Sequence, residues 1–182
     1  MKIAAIIGSS RADGNTQQLT ELALKGIDYT PIILKEKQVV PIDDLRHAAG
    51  GFHPVSDDYE TVIDTVLEHD ILIFATPVYW YGMSGLMKNF VDRWSQSLRD
   101  DRFEFKKEMS QKTAYVITCG GDQPRIKALP LILQFQYIFD FMGVSFAGYI
   151  IGTANAPSDI LKDERALAEA RQWNEKFLNK QK

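Results

Sequence analysis

Cysteine is almost missing from this chain: Cys119 stands alone among 182 residues, and there are only three histidines, His47, His53 and His69. A lone thiol excludes an intramolecular disulfide and any multi-cysteine zinc or iron–sulfur site, and it suits a reducing compartment, so a cytoplasmic location is expected. The histidines fall in no ligand spacing, and no metal is expected. Long apolar runs are also lacking. Ile3-Ala4-Ala5-Ile6-Ile7 stops at Gly8-Ser9-Ser10-Arg11, too short for the core of a signal peptide, and no stretch approaches the roughly 20 apolar residues of a membrane span. Excess charge of one sign is absent as well. The 21 basic and 24 acidic residues leave a net −3, which argues against a nucleic-acid partner, since polyanion binders carry a basic face.

What remains is the composition of a globular protein, 45% hydrophobic and 25% charged, at a length suited to one domain over residues 1–182. Short apolar runs at residues 3–7, 31–34, 71–75, 114–118 and 146–151 alternate with longer segments of helical periodicity. Helices are expected at residues 16–25, 58–68, 84–98, 126–142 and 163–178. In the third, Leu86, Met87, Phe90, Val91, Trp94 and Leu98 share an apolar stripe opposite Lys88, Asp92, Arg93 and Gln96. Alternating strand and helix signals without an internal repeat predict a doubly wound α/β fold. Its five-stranded parallel sheet has order 2-1-3-4-5, helices on both faces, and a ligand crevice at the carboxyl ends of strands one and three. Residues 35–56, broken by Pro41, Gly50, Gly51 and Pro54, read as a loop over that crevice. Residues 99–111 read as a second irregular, exposed insertion.

Three loops follow strands one, three and four. The first, Gly8-Ser9-Ser10-Arg11-Ala12-Asp13-Gly14-Asn15-Thr16, combines glycines with the neutral donors Ser9, Ser10, Asn15 and Thr16 at a helix start. That inventory suits a monophosphate. It also suits an ordinary strand-to-helix turn with Asn15 or Thr16 as N-cap. Arg11 faces a cofactor phosphate, a second substrate's phosphate, or solvent. Neither the G-x-G-x-x-G of dinucleotide folds nor the Gly-Lys-Ser/Thr ending of a P-loop is present. The second loop, Thr76-Pro77-Val78-Tyr79-Trp80-Tyr81-Gly82-Met83-Ser84, carries three consecutive aromatics before a helix capped by Ser84. At least one ring borders the crevice or packs beneath a neighbouring loop or subunit. The third, Thr118-Cys119-Gly120-Gly121-Asp122, either offers amides to a ligand's carbonyl oxygens or simply turns. Cys119 reads as a small buried residue, with no base nearby to make it a nucleophile.

The run Gly8-Ser9-Ser10-Arg11 to Gly14-Asn15-Thr16, then Thr76-Pro77-Val78-Tyr79, Gly82-Met83-Ser84 and Leu86-Met87-Lys88-Asn89-Phe90-Val91-Asp92-Arg93, resembles the NAD(P)H-dependent FMN reductase family of the flavodoxin-like superfamily. The resemblance implies FMN as cofactor and NADPH or NADH as electron donor. It implies a ping-pong oxidoreductase passing hydride through flavin N5 to a quinone, azo compound, free flavin or similar small acceptor, with no catalytic side chain. By motif position, Ser9, Arg11, Asn15 and Thr16 fall on the phosphate loop. Pro77, Val78, Tyr79, Trp80, Tyr81 and Gly82 fall on the loop around the isoalloxazine edge, and Gly120 and Gly121 border its pyrimidine side. Pro41 is followed by Ile42-Asp43-Asp44-Leu45, where iron–sulfur relatives carry Pro-Cys-x-x-Cys, which removes a cluster. The alternative is a flavodoxin-type one-electron carrier between protein partners, though a net charge of −3 is mild for such docking. A homodimer is expected, because residues 131–142 are apolar around most of a helix that one sheet face covers only partly.

Overall fold

A computed structural model describes residues 1–181. Five strands, β1 (Ile3–Ile7), β2 (Thr30–Ile33), β3 (Ile71–Pro77), β4 (Thr113–Gly120) and β5 (Ser145–Thr153), form one sheet of order β2-β1-β3-β4-β5. All neighbours pair in parallel, so the doubly wound topology expected from the alternating pattern is the one found, and it is the fold that the flavodoxin-like resemblance implies. The helices are α1 (Asn15–Ala23), α2 (Tyr59–Leu67), α3 (Gly85–Asp92), α4 (Trp94–Ser97), α5 (Phe105–Ser110), α6 (Pro124–Lys127), α7 (Leu129–Met142) and α8 (Glu164–Gln181).

Strand alternation divides the core in two. Ala4, Ile6, Leu72 and Phe74 face α2, α3, α4, α5 and α7. Ile3, Ala5, Ile7, Ile71 and Ile73 face α1 and α8. Covering both faces is why these strands read as nearly unbroken apolar runs. On the first face, the Phe74 ring lies 5.1 Å from that of Phe139 and 6.1 Å from that of Trp94.

Four sequence expectations are corrected. The helix expected over 84–98 breaks at Arg93, which leaves the polar face. Its side chain is 2% exposed and its guanidinium reaches the equally buried carboxylate of Asp57 at 2.6 Å and the Val40 carbonyl at 3.0 Å. The helix expected over 126–142 is two helices, because Pro130 inside a continuous helix would lack an amide donor and clash with the preceding turn. Proline in the first turn of α7 is compatible with a fresh start. Residues 99–111 are not all irregular and exposed: α5 buries Phe105 and Met109, with Phe105 edge-on to Trp94 at 5.8 Å. Residues 35–56 close against α2 and the α3–α4 junction rather than over the crevice. Val40 donates to Asp57 at 2.9 Å and Gln38 to Asp58 at 2.7 Å.

Candidate functional site

The carboxyl ends of β1, β3 and β4 carry three loops that hydrogen bonds lock to one another. Gly8 donates to the Ala75 carbonyl at 2.8 Å. Ser84 caps α3 by accepting from the Met87 amide at 3.2 Å, and its hydroxyl donates to the Gly8 carbonyl at 2.7 Å. One serine thus ends the aromatic loop and fastens it to the first loop. Val78 donates to Cys119 at 2.9 Å, and Ala154 donates to Gly120 at 2.9 Å, which adds the segment after β5 to the cluster.

At the first loop, the N-cap of α1 is Gly14, which offers no side-chain cap, and no acidic residue stands in the first turn. Asn15 and Thr16 are therefore not the cap, contrary to the ordinary-turn reading of this segment. The Asn15 amide donates to the Ala156 carbonyl at 2.9 Å and its Oδ1 accepts from Ile160 at 3.2 Å. Asn15 thus anchors the loop after β5. Thr16 is buried beside Cys119, and burial pushes the Cys119 thiol up to about 12 against the lowering effect of the Thr16 hydrogen bond. That cysteine is inert as a nucleophile. Ser9 folds back on its own loop, its Oγ 3.2 Å from the Arg11 carbonyl and 3.3 Å from the Arg11 amide. What this loop presents outward is backbone: an uncapped helix start carrying the positive end of the dipole.

The aromatic loop is a two-residue hairpin. Tyr79 and Gly82 exchange both backbone hydrogen bonds at 3.0 Å, and the residues between them, Trp80 and Tyr81, hold positive φ of 49° and 64°. Positive φ at both central positions is what such a tight hairpin demands, and for aromatic residues it costs of order 1–2 kcal/mol each. Both tyrosines are tethered: the Tyr79 hydroxyl shares a hydrogen bond with Ser10 Oγ at 3.1 Å, and Tyr81 donates to Asp122 at 3.0 Å. Trp80 between them is 97% exposed.

These loops enclose two adjoining cavities. The smaller, about 130 Å³, is lined by Ser9, Arg11, Asn15, Thr16, Pro77 and Tyr79. The larger, about 490 Å³, is lined by Trp80, Tyr81, Asp122 and Lys127. Val78, Gly120, Gly121 and Asn155 line both. All the residues expected at the site except Gly82 therefore meet here, and Gly82 serves the hairpin instead. No residue from 35–56 lines either cavity. The sequence reading missed Ala154, Asn155, Pro124, Lys127 and Ala128. The rule that ligands sit beyond the carboxyl ends of strands would have found Ala154 and Asn155, had the loop after β5 been treated like the other three. The rest lie on α6 and at the start of α7, with no compositional mark.

The arrangement fits a ligand with an anionic end and a flat body. Absent side chains shape the cradle: a Cβ on Gly14 would lie 2.6 Å from Ser9 Oγ, and one on Gly121 would lie 3.0 Å from Asn155. The larger cavity alone falls within the usual range of about 300–1,000 Å³ for small-molecule sites. Among the described residues no group of acidic, histidine or cysteine side chains could hold a metal ion, and no helix is long and apolar enough to cross a membrane.

Comparison with known proteins gives the chain's relatives and its family. The YwqN protein of Bacillus subtilis, whose name assigns it as an NAD(P)H-dependent FMN-containing oxidoreductase, is 58% identical over 171 residues, spanning 93% of this chain and 94% of that protein. The solved structure of the Trp repressor binding protein from Bacillus subtilis is 54% identical, with a TM-score of 0.81 over 94% of this chain and 99% of that one. An FMN-dependent NADH-azoreductase from Bacillus anthracis, solved with FMN, shares only 12% identity but the same fold, with a TM-score of 0.66 over 97% and 99% of the two chains. The family described as NADPH-dependent FMN reductase matches residues 1–153, and the chain belongs to that family.

Proposed function

We propose that residues 1–182 form one FMN-binding unit that oxidises NAD(P)H and passes the electrons to a small acceptor such as a quinone, azo compound or free flavin. The observation that carries this reading is the uncapped start of α1 opening into a cavity that continues between the aromatic hairpin and the Gly120-Gly121 turn. The amides at the start of α1, with Ser9, Arg11 and Thr16 around them, hold the FMN phosphate. Asn15 sets the wall by tying the loop after β5 in place. Pro77, Val78, Tyr79, Tyr81, Gly120 and Gly121 hold the ring, with Trp80 at the outer edge. Bound FMN supplies a centre at N5 that takes up and returns hydride equivalents, so the protein needs to contribute orientation and electrostatics rather than a catalytic base.

Trp80 and the tethered tyrosines give a planar nicotinamide an aromatic wall beside an open face, and donor and acceptor then use that face in turn. Ping-pong kinetics follow, with parallel lines in double-reciprocal plots. The working form is a homodimer: along α7 Leu131, Phe135 and Phe139 are buried, while Leu133, Tyr137 and Phe141 are 45%, 64% and 61% exposed. An exposed apolar row of this kind is what a second copy would cover.

The test is anaerobic addition of NADH and of NADPH to the FMN-loaded protein while the visible absorbance is followed. At least one nucleotide should bleach the flavin rapidly in a single two-electron phase. A stable long-wavelength intermediate during chemical reduction, with neither nucleotide reacting, would favour the one-electron carrier instead.

A further inference from the structure

Outside the phosphate loop, one charged cluster faces the ligand cavity. Asp122 accepts from the Tyr81 hydroxyl at 3.0 Å, and Lys127 Nζ lies 2.7 Å from both Asp122 oxygens. The three residues belong to three different elements, the aromatic hairpin, the turn after β4 and α6, and all three line the larger cavity. Lys127 is the only cation among the described residues lining it, and Asp122 the only anion. Arg125, its neighbour on α6, is engaged elsewhere, gripping Asp163 at 2.6 and 2.7 Å. Arg11 lines the smaller cavity alone.

The direction of the ligand follows from the lining. Ser9, Arg11, Asn15 and Thr16 touch only the small cavity, and Trp80, Tyr81, Asp122 and Lys127 only the large one. With the phosphate at the Ser9–Thr16 end of the first, the ring would pass Pro77 and Tyr79 and extend into the second. Hydride adds one proton and two electrons to a neutral oxidised ring, so the ring gains one net negative charge. That charge is delocalised over the pyrimidine side. A fixed cation at the ring end therefore favours the reduced cofactor, and a fixed anion opposes it. An ammonium has three donors, and two of those of Lys127 reach Asp122, leaving one free.

On the reading that this cavity holds FMN, we propose that Lys127 is the counter-charge of the reduced flavin and that Asp122 attenuates it. The balance of the pair sets the flavin's reduction potential, and Tyr81 couples that pair to the aromatic hairpin. Lys127 and Asp122 are half exposed, 40% and 56% at the side chain, so solvent screens them and the effect is modest.

The experiment measures the midpoint potential of FMN bound to the wild type and to K127M, K127R and D122N by dye-referenced anaerobic titration at fixed pH and salt. K127M should lower the preference for reduced over oxidised FMN by roughly fivefold, the upper range for a screened charge contact, which for two electrons is a fall of about 20 mV. D122N should shift the potential upward, and K127R should stay near wild type. High salt should shrink all the differences. A wild-type potential in K127M overturns the proposal, as does a shift of K127M and D122N in the same direction, which would mark a purely structural cluster. Failure of the wild-type chain to take up FMN would instead defeat the cofactor reading beneath it.

Discussion

Trp80 separates folding from function at a single residue. With its ring 97% exposed, it contributes almost no packing, so W80A should leave stability in urea within about 0.5 kcal/mol of wild type. Loss of an aromatic contact with the nicotinamide should raise KM for NAD(P)H roughly 2- to 10-fold, read by steady-state kinetics alongside the melt. An unchanged KM would remove Trp80 from the donor site. Gly14 makes the complementary case. Its φ of −65° suits any residue, so G14A introduces no backbone strain; the added Cβ would instead lie 2.6 Å from Ser9 Oγ. Ser9 must move, the loop amides shift with it, and FMN affinity should fall about tenfold or more, the worth of one hydrogen bond to a charged group. Fluorescence titration with FMN checks this, and wild-type affinity would place the phosphate elsewhere.

At the scale of elements, the buried Arg93–Asp57 pair joins residues 35–58 to the break between α3 and α4. Arg93 also lies over the Tyr59 ring, 4.4 Å from its centroid. Removing one partner strands a buried charge, so D57A should cost about 3–5 kcal/mol in urea unfolding, while FMN still binds to the folded fraction because none of these residues lines the cavities. A cost below 1 kcal/mol would mean that water reaches Arg93 freely. The pair also sets a pH dependence. Burial opposes ionisation of Asp57, but hydrogen bonds from Arg93, Val40 and Tyr59 outweigh it and hold its pKa below the ordinary value. A depressed folded pKa means stability that is complete above the unfolded value of about 3.9 and lost as pH falls through the folded one. Wild type should therefore lose stability more steeply than D57A below about pH 4, which parallel urea melts between neutral pH and acid will show.

For the whole molecule, the row Leu129, Leu133, Tyr137 and Phe141 recurs every fourth residue along α7, all exposed. Light scattering at micromolar concentration should give twice the chain mass, and Y137D, which places a charge in the middle of the row, should halve it. The sheet cannot turn inward to cover this row, because Leu131, Phe135 and Phe139 on the opposite side already fill that contact. A monomeric wild type would leave the row without a purpose in self-assembly.

The order of the sheet, the strand positions and the three loops that line the cavities were legible in the sequence, because alternating apolar runs and glycine-rich strand ends are local signals. Ser84 as the α3 cap and Cys119 as a buried residue were legible for the same reason. Tertiary structure alone decided the rest. Arg93 carries the charge of a surface residue, yet it is buried because Asp57, 36 positions away, meets it there. Asn15 looks like a cap and serves as an anchor for a loop 141 residues on. Lys127 and Asn155 enter the cavity through the packing of α6 and the end of β5, which no periodicity encodes. Residues 35–56 were misplaced because proline and glycine mark irregular chain without saying which surface it meets, and that choice was made by a buried ion pair between distant segments.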